Sequence, residues 1–136
     1  MKKKDQRINK LILLLIVFIQ GGLSAQQLKI EPFEFISKKG DTINSELGTF
    51  YVLEDRNKKS LDSIKLNFVR FKSTNPNPGS PIVYLAGGPG GSGIGTAKGR
   101  RFELFMKLRE VADVIAFDQR GTGMSNQLPN CPYYAD

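Results

Sequence analysis

Apolar residues along this chain fall into three arrangements, and each predicts a different element. From Ser63 to Lys72, Ile64, Leu66, Phe68, Val69 and Phe71 alternate, with one irregularity, with Lys65, Asn67, Arg70 and Lys72. A period of two puts successive side chains on opposite faces, as in a half-buried strand. Gly48 to Leu53 is rich in β-formers and reads as a second strand, with Glu54 to Ser60 as a charged turn between the two. These strands are expected to pair antiparallel. Ile82–Leu85 and Val111–Phe117 are instead short apolar runs, the pattern of strands buried on both faces in a parallel sheet. Between them, Arg100–Arg109 carries Phe102, Leu104, Phe105, Met106 and Leu108 around more than half of a helical circumference, which predicts a helix packed on the sheet.

Linking segments follow from composition. Residues 26–46 are mixed and polar, punctuated by Pro32 and Gly40-Asp41, and read as a lead-in with a weak strand at Phe33–Ile36. Ser73–Ser80, with Pro76, Pro78 and Gly79, reads as a loop. Strand, glycine-rich loop, helix and strand make a βαβ unit, whose crossover is normally right-handed. The expected class is therefore α/β, an antiparallel hairpin leading into a parallel sheet.

The third arrangement is the unbroken apolar stretch Leu11–Ile19, preceded by Lys2, Lys3, Lys4, Arg7 and Lys10 and followed by Gly21-Gly22-Leu23-Ser24-Ala25. A positive start, a short apolar core and small residues at a cleavage point are the layout of a secretory signal peptide, here cut after Ala25. An uncleaved membrane anchor is the alternative. The chain is thus expected to divide into a signal peptide at 1–25, a lead-in at 26–46 and an α/β segment at 47–136, and the mature protein is expected to be exported, periplasmic or secreted. The leader also changes the meaning of the charge. The whole chain carries +7, but without residues 1–25 there remain 15 basic and 12 acidic residues, a net +3. That balance gives no electrostatic footprint for nucleic acid. Lys38-Lys39 and Lys58-Lys59 read as solvated turns. The single cysteine, Cys131, has either a partner in a further segment or none.

Candidate chemistry lies where the strand Ile82–Leu85 breaks into Ala86-Gly87-Gly88-Pro89-Gly90-Gly91-Ser92-Gly93. Glycine admits φ > 0 and lets a ligand oxygen approach backbone N–H groups. Such a loop suits a phosphate or the oxyanion of an acyl-transfer transition state. Three readings follow. Gly88-Pro89-Gly90-Gly91-Ser92-Gly93 matches the glycine fingerprint of dinucleotide folds, with Asp118 as the ribose-binding acid; against it, Pro89 lacks an N–H, and the helix is expected only from Arg100. The second reading is a tight turn without chemistry. The third is an oxyanion loop, in which Pro89 stiffens the chain and the glycines open it to a carbonyl oxygen. At the end of the next strand, the carboxylate of Asp118 and the guanidinium of Arg120 must pair or bond to backbone, and Gly121 and Gly123 suit a sharp chain path. Asp118 and Arg120 are read as scaffolding.

Leu85-Ala86-Gly87-Gly88-Pro89-Gly90-Gly91-Ser92-Gly93, followed by Phe117-Asp118-Gln119-Arg120-Gly121-Thr122-Gly123-Met124-Ser125, resembles the proline iminopeptidase and tripeptidyl aminopeptidase group of α/β-hydrolases. The resemblance spans residues 48–132, the front part of that catalytic domain. It implies that Gly88, with Gly87 beside it, donates to an oxyanion, that Pro89 and Gly90 shape the loop, and that Asp118, Arg120, Gly121 and Gly123 structure the turn after the following strand. It also implies a peptide substrate and no metal or cofactor. Ala86 stands where the iminopeptidases often carry His, and Met124 where the group often carries Arg.

The chain contains no histidine. A Ser-His-acid mechanism therefore cannot be completed within it, and no G-x-S-x-G elbow occurs. Ser125 reads as a turn residue. The expectation is the N-terminal part of an exported serine aminopeptidase whose nucleophile, acid and base are absent here. An esterase on the same fold and a non-catalytic exported binding module are the alternatives. The family's strand order further implies that Ile82–Leu85 forms an exposed apolar edge, so that residues 26–136 alone are inactive and prone to aggregate.

Overall fold

Alternating β-formers build one mixed sheet of five strands: β1 (Lys29–Ile36), β2 (Thr42–Leu53), β3 (Ser63–Phe71), β4 (Gly79–Leu85) and β5 (Ala112–Asp118). The structure, a computed structural model, describes residues 28–57 and 62–125. The signal-peptide reading, residues 58–61 of the charged turn, and Cys131 lie outside the described residues. Two helices, α1 (Gly93–Lys98) and α2 (Phe102–Leu108), connect β4 to β5.

The sheet order is β1-β2-β3-β5-β4. The expected antiparallel hairpin is present as β2 and β3, with Leu47 opposite Val69 and Phe50 opposite Leu66. Next, β5 runs antiparallel to β3 and parallel to β4, which makes β4 the edge of the sheet. The segment 26–46, expected as a lead-in, is instead largely sheet. It supplies all of β1 and the first five residues of β2, paired in register from Lys29–Thr49 to Ile36–Thr42. Glu31, Pro32 and Glu34 made it look polar, yet all three are exposed on an edge strand, where charge and proline are tolerated. Only Phe33 and Phe35 turn inward from β1.

Both helices lie on one face. Ile94 and Ala97 from α1 and Phe102 and Phe105 from α2 cover Phe35, Val69, Phe71, Val114 and Ala116 of the strands. Aromatic edges knit this core: Phe35 meets Phe71 at 4.7 Å, and Phe105 meets both Tyr84 at 5.1 Å and Phe71 at 6.0 Å. Such pairs contribute about 0.5–1.5 kcal/mol each beyond the area they bury. The helix expected over Arg100–Arg109 is shorter, and Leu104 points outward, 46% exposed, so the apolar stripe is narrower than its sequence suggests.

The irregular alternation in β3 has a structural reason: both of its faces are apolar. Asn67, Val69 and Phe71 face the helices, while Phe68 shares the opposite face with Phe50 and Phe117, whose rings stack at 6.1 Å. No helix among the described residues lies on that second face. Towards its end the apolar side chains give way to charge. Glu46 is opposite Arg70 in register and accepts from its guanidinium, while the Lys72 ammonium reaches Glu46 Oε1 at 2.6 Å.

Two predictions follow from this architecture. On β4, Val83 and Leu85 are 57% and 55% exposed beside an unpaired backbone edge, the arrangement that recruits another strand. Val83→Lys should reduce self-association of residues 26–136, read as a fall in scattering mass at equal concentration; unchanged association would locate the sticky surface elsewhere. The second concerns Glu46, whose carboxyl is held below its ordinary pKa chiefly by the hydrogen bond from Lys72, then by Arg70, with burial opposing. A depressed folded-state pKa gives stability that is present above the unfolded pKa and lost as pH falls through the folded one. As the pH falls below about 5 and through the folded-state pKa, the native protein should therefore lose more stability than Glu46→Gln, compared by urea midpoints.

Candidate active site

The glycine loop is fixed at its far end by the side chains of Ser92 and Asp118. After Leu85, the chain turns through Gly88 (φ 73°) and Gly90 (φ 79°), with a weak turn hydrogen bond from Gly91 N–H to Gly88 O at 3.4 Å. It then enters α1 directly at Gly93. Ser92 caps this helix, its Oγ accepting from Gly95 N–H at 2.7 Å. This helix is therefore an additional one, which precedes the helix expected from Arg100. Its two glycines, Gly93 and Gly95, lower helix propensity and hid it from the sequence pattern. The signal that could have found it is a cap serine followed by Ile94 and Ala97 three apart.

Gly93 is required by packing. A Cβ there would lie 2.3 Å from Phe117 O, so the first turn of α1 rests against the backbone of β5 at a distance only glycine allows. This contact delivers Asp118, the next residue, to the start of the helix. Asp118 is fully buried. Its Oδ1 accepts from Ser92 Oγ at 2.7 Å and from Ile94 N–H at 3.0 Å, and its Oδ2 accepts from Met124 N–H at 2.7 Å. Around Gly123 the turn closes so tightly on this carboxylate that a Cβ would fall 1.9 Å from Oδ2.

The turn at 119–125 is held from below as well. Ser125 is a buried bracket rather than a simple turn residue: its hydroxyl donates to Asp118 O at 2.6 Å and accepts from Asn67 N–H at 2.9 Å. Asn67 in turn donates through Nδ2 to Met124 O at 2.9 Å and accepts from Thr49 Oγ1 at 3.1 Å. Asn67, Ser92 and Ser125 were not singled out in the sequence as site residues, since isolated polar residues in strands and turns carry no pattern. Asp118 and Arg120 do not meet. Arg120 is exposed and donates to Glu54 O at 2.7 Å, tying the turn to the end of β2, and Gly121, the next residue, takes φ 74°.

This geometry limits the chemistry. Asp118 is held by three donors and shielded from solvent, so it does not face a ribose hydroxyl. Two of the first N–H groups of α1 are also occupied, that of Ile94 by Asp118 and that of Gly95 by Ser92, which leaves these two no role in holding a pyrophosphate. In contrast, the N–H groups of Gly87 and Gly88 have no partner among the described residues, and the space over both glycines is open. The arrangement is a pair of free backbone donors on a loop whose far end is clamped.

No protein-family model matches this chain, and comparison with curated proteins and with solved structures likewise gives no match. What the fold defines is a mixed α/β sheet with a parallel strand–loop–helix–strand unit at one edge.

The clasp makes a direct prediction. Asp118→Asn turns one acceptor oxygen into an amide donor that faces either Met124 N–H or the pair from Ser92 and Ile94, leaving buried donors opposed. It should lower stability by about 2–3 kcal/mol, and Ser92→Ala by about 1 kcal/mol, in chemical denaturation. An Asp118→Asn protein as stable as the native one would remove the clasp from the account.

Proposed function

We propose that this chain is the N-terminal part of an exported α/β-hydrolase, a serine aminopeptidase that releases residues from peptide N-termini. Gly88 is the oxyanion donor, with Gly87 beside it. The observation that carries the reading is the pair of unengaged N–H groups on a glycine loop clamped by Ser92 and Asp118. The strand order supports it, since β5 lies between β3 and β4 as the resemblance implied.

In this mechanism a serine further along the protein attacks the peptide carbonyl, and negative charge develops on the carbonyl oxygen. Donors already in position when that charge appears lower the barrier without reorganisation, each by about 3 kcal/mol. Pro89 and Gly90 fix the loop's path, and the Asp118 clasp prevents its far end from relaxing away. Asp118 and Arg120 act as scaffolding. Export follows cleavage after Ala25, and peptide is the substrate class.

The source DNA read past the codon for Asp136 tests this. An in-frame continuation with G-x-S-x-G and a later histidine is expected, and a stop codon would defeat the aminopeptidase reading. In the full-length product, Gly88→Ala, which strains a residue at φ 73° and displaces the donor, should lower kcat by about 100-fold on an aminoacyl fluorogenic substrate.

A further inference from the structure

A second feature borders the glycine loop and takes no part in the clasp. Between the β1–β2 turn, the end of β4 and the link from α1 to α2 is an open cleft of about 540 Å³. Its lining includes Lys38, Tyr84, Gly87, Thr96, Arg100 and Arg101; three of its residues are cations and none is an acid. This volume lies within the range of small-ligand sites, about 300–1,000 Å³.

The three cations have no carboxylate partner among the described residues. The nearby acids are committed elsewhere. Asp41 accepts from the Ser37 hydroxyl at 2.7 Å, and Glu103 is paired with Lys39 at 3.7 Å. The walls are also fixed in advance. Ser37 N–H donates to Asp41 O at 2.8 Å to close the β1–β2 turn, and Lys38 N–H donates to Lys98 O at 2.7 Å, binding that turn to the last residue of α1. The Arg101 guanidinium lies 5.8 Å from the Tyr84 ring centre, which holds it on the β4 side. Three like charges line one preformed cleft, and an anion placed among them offsets their mutual repulsion. Arginine's planar fork matches a carboxylate with two parallel N–H donors.

We propose that this cleft is a carboxylate subsite that receives the free C-terminal α-carboxylate of a short peptide whose scissile carbonyl lies at the glycine loop. The proposal rests on the aminopeptidase reading and deepens it, by making short free peptides, rather than the ends of long chains, the substrate class. Gly87 belongs to both the loop and the cleft lining, so one bound peptide can reach from one to the other.

The test is calorimetric binding to the full-length gene product. The probes are a reduced-bond tri-alanine analogue that cannot be cleaved, in free-acid and C-terminal amide forms, and inorganic phosphate. The acid is expected to bind at least about tenfold more tightly than the amide. That preference should fall below about threefold in Arg100→Gln/Arg101→Gln and persist in Lys107→Gln, a control outside the cleft. Should the double variant fail to fold, Lys38→Gln, on a different element, must reduce the same preference. Equal binding of acid and amide, a preference that survives the cleft substitutions, or phosphate binding more tightly than the acid would each overturn the subsite. Binding needs no catalytic serine, so an inactive protein that prefers the acid defeats only the aminopeptidase reading. An active one without the preference defeats only the cleft.

Discussion

A carboxylate taken wholly out of water keeps its place only if donors replace the lost solvent, and the arrangement around Asp118 is organised by that requirement. Its two oxygens draw in the Ser92 hydroxyl, the Ile94 N–H and the Met124 N–H from two separate segments. Satisfying one buried charge therefore fixes the far end of the glycine loop, the first turn of α1 and the turn after β5 together. The two glycines that press against this region, Gly93 on Phe117 O and Gly123 on Oδ2, are there because the donors must come so close. The free donors at Gly87 and Gly88 thus sit on a loop whose far end has nowhere to go.

The sheet was largely legible in the sequence, because period two in Ser63–Lys72 and the apolar runs ending at Leu85 and Phe117 are direct consequences of burial. What escaped notice did so for identifiable reasons. β1 presents Glu31, Pro32 and Glu34 on an exposed edge, where polar residues carry no penalty, so its composition resembles a linker. α1 is written with glycines demanded by tertiary contact, which overrode local propensity. Leu104 belonged to an apparent apolar stripe but faces solvent. At the site, the need for Asp118 and Arg120 to find backbone partners could be argued from charge and burial alone. Which partners they found could not, because Asn67 and Ser125 meet only through the pairing of β3 with β5, and Ser92 reaches Asp118 only through the packing of α1 on β5.

The sheet's two faces differ in what completes them. One is sealed by an aromatic cluster around Phe105, with Phe35, Phe71 and Tyr84 arranged edge-to-face or within its reach. On the other, Phe50, Phe68 and Phe117 form a smaller apolar surface that ends at the Glu46–Arg70–Lys72 cluster, where charge substitutes for covering elements. Stability on the first face comes from packing and is indifferent to pH; on the second, part of it depends on a carboxylate staying ionised.

The bracket between Ser125 and Asn67 joins residues 58 positions apart. Chain emerging in order from a ribosome completes β1, β2 and β3 long before that bond can form. During this interval Ala86–Gly91 is a string of glycines joined to nothing at its far side, because Asp118 and Ser125 have not yet arrived. The loop thus acquires its shape late and all at once, when the last turn docks on a hairpin already made. Synthesis order itself postpones the shaping of the glycine loop until the supporting sheet exists.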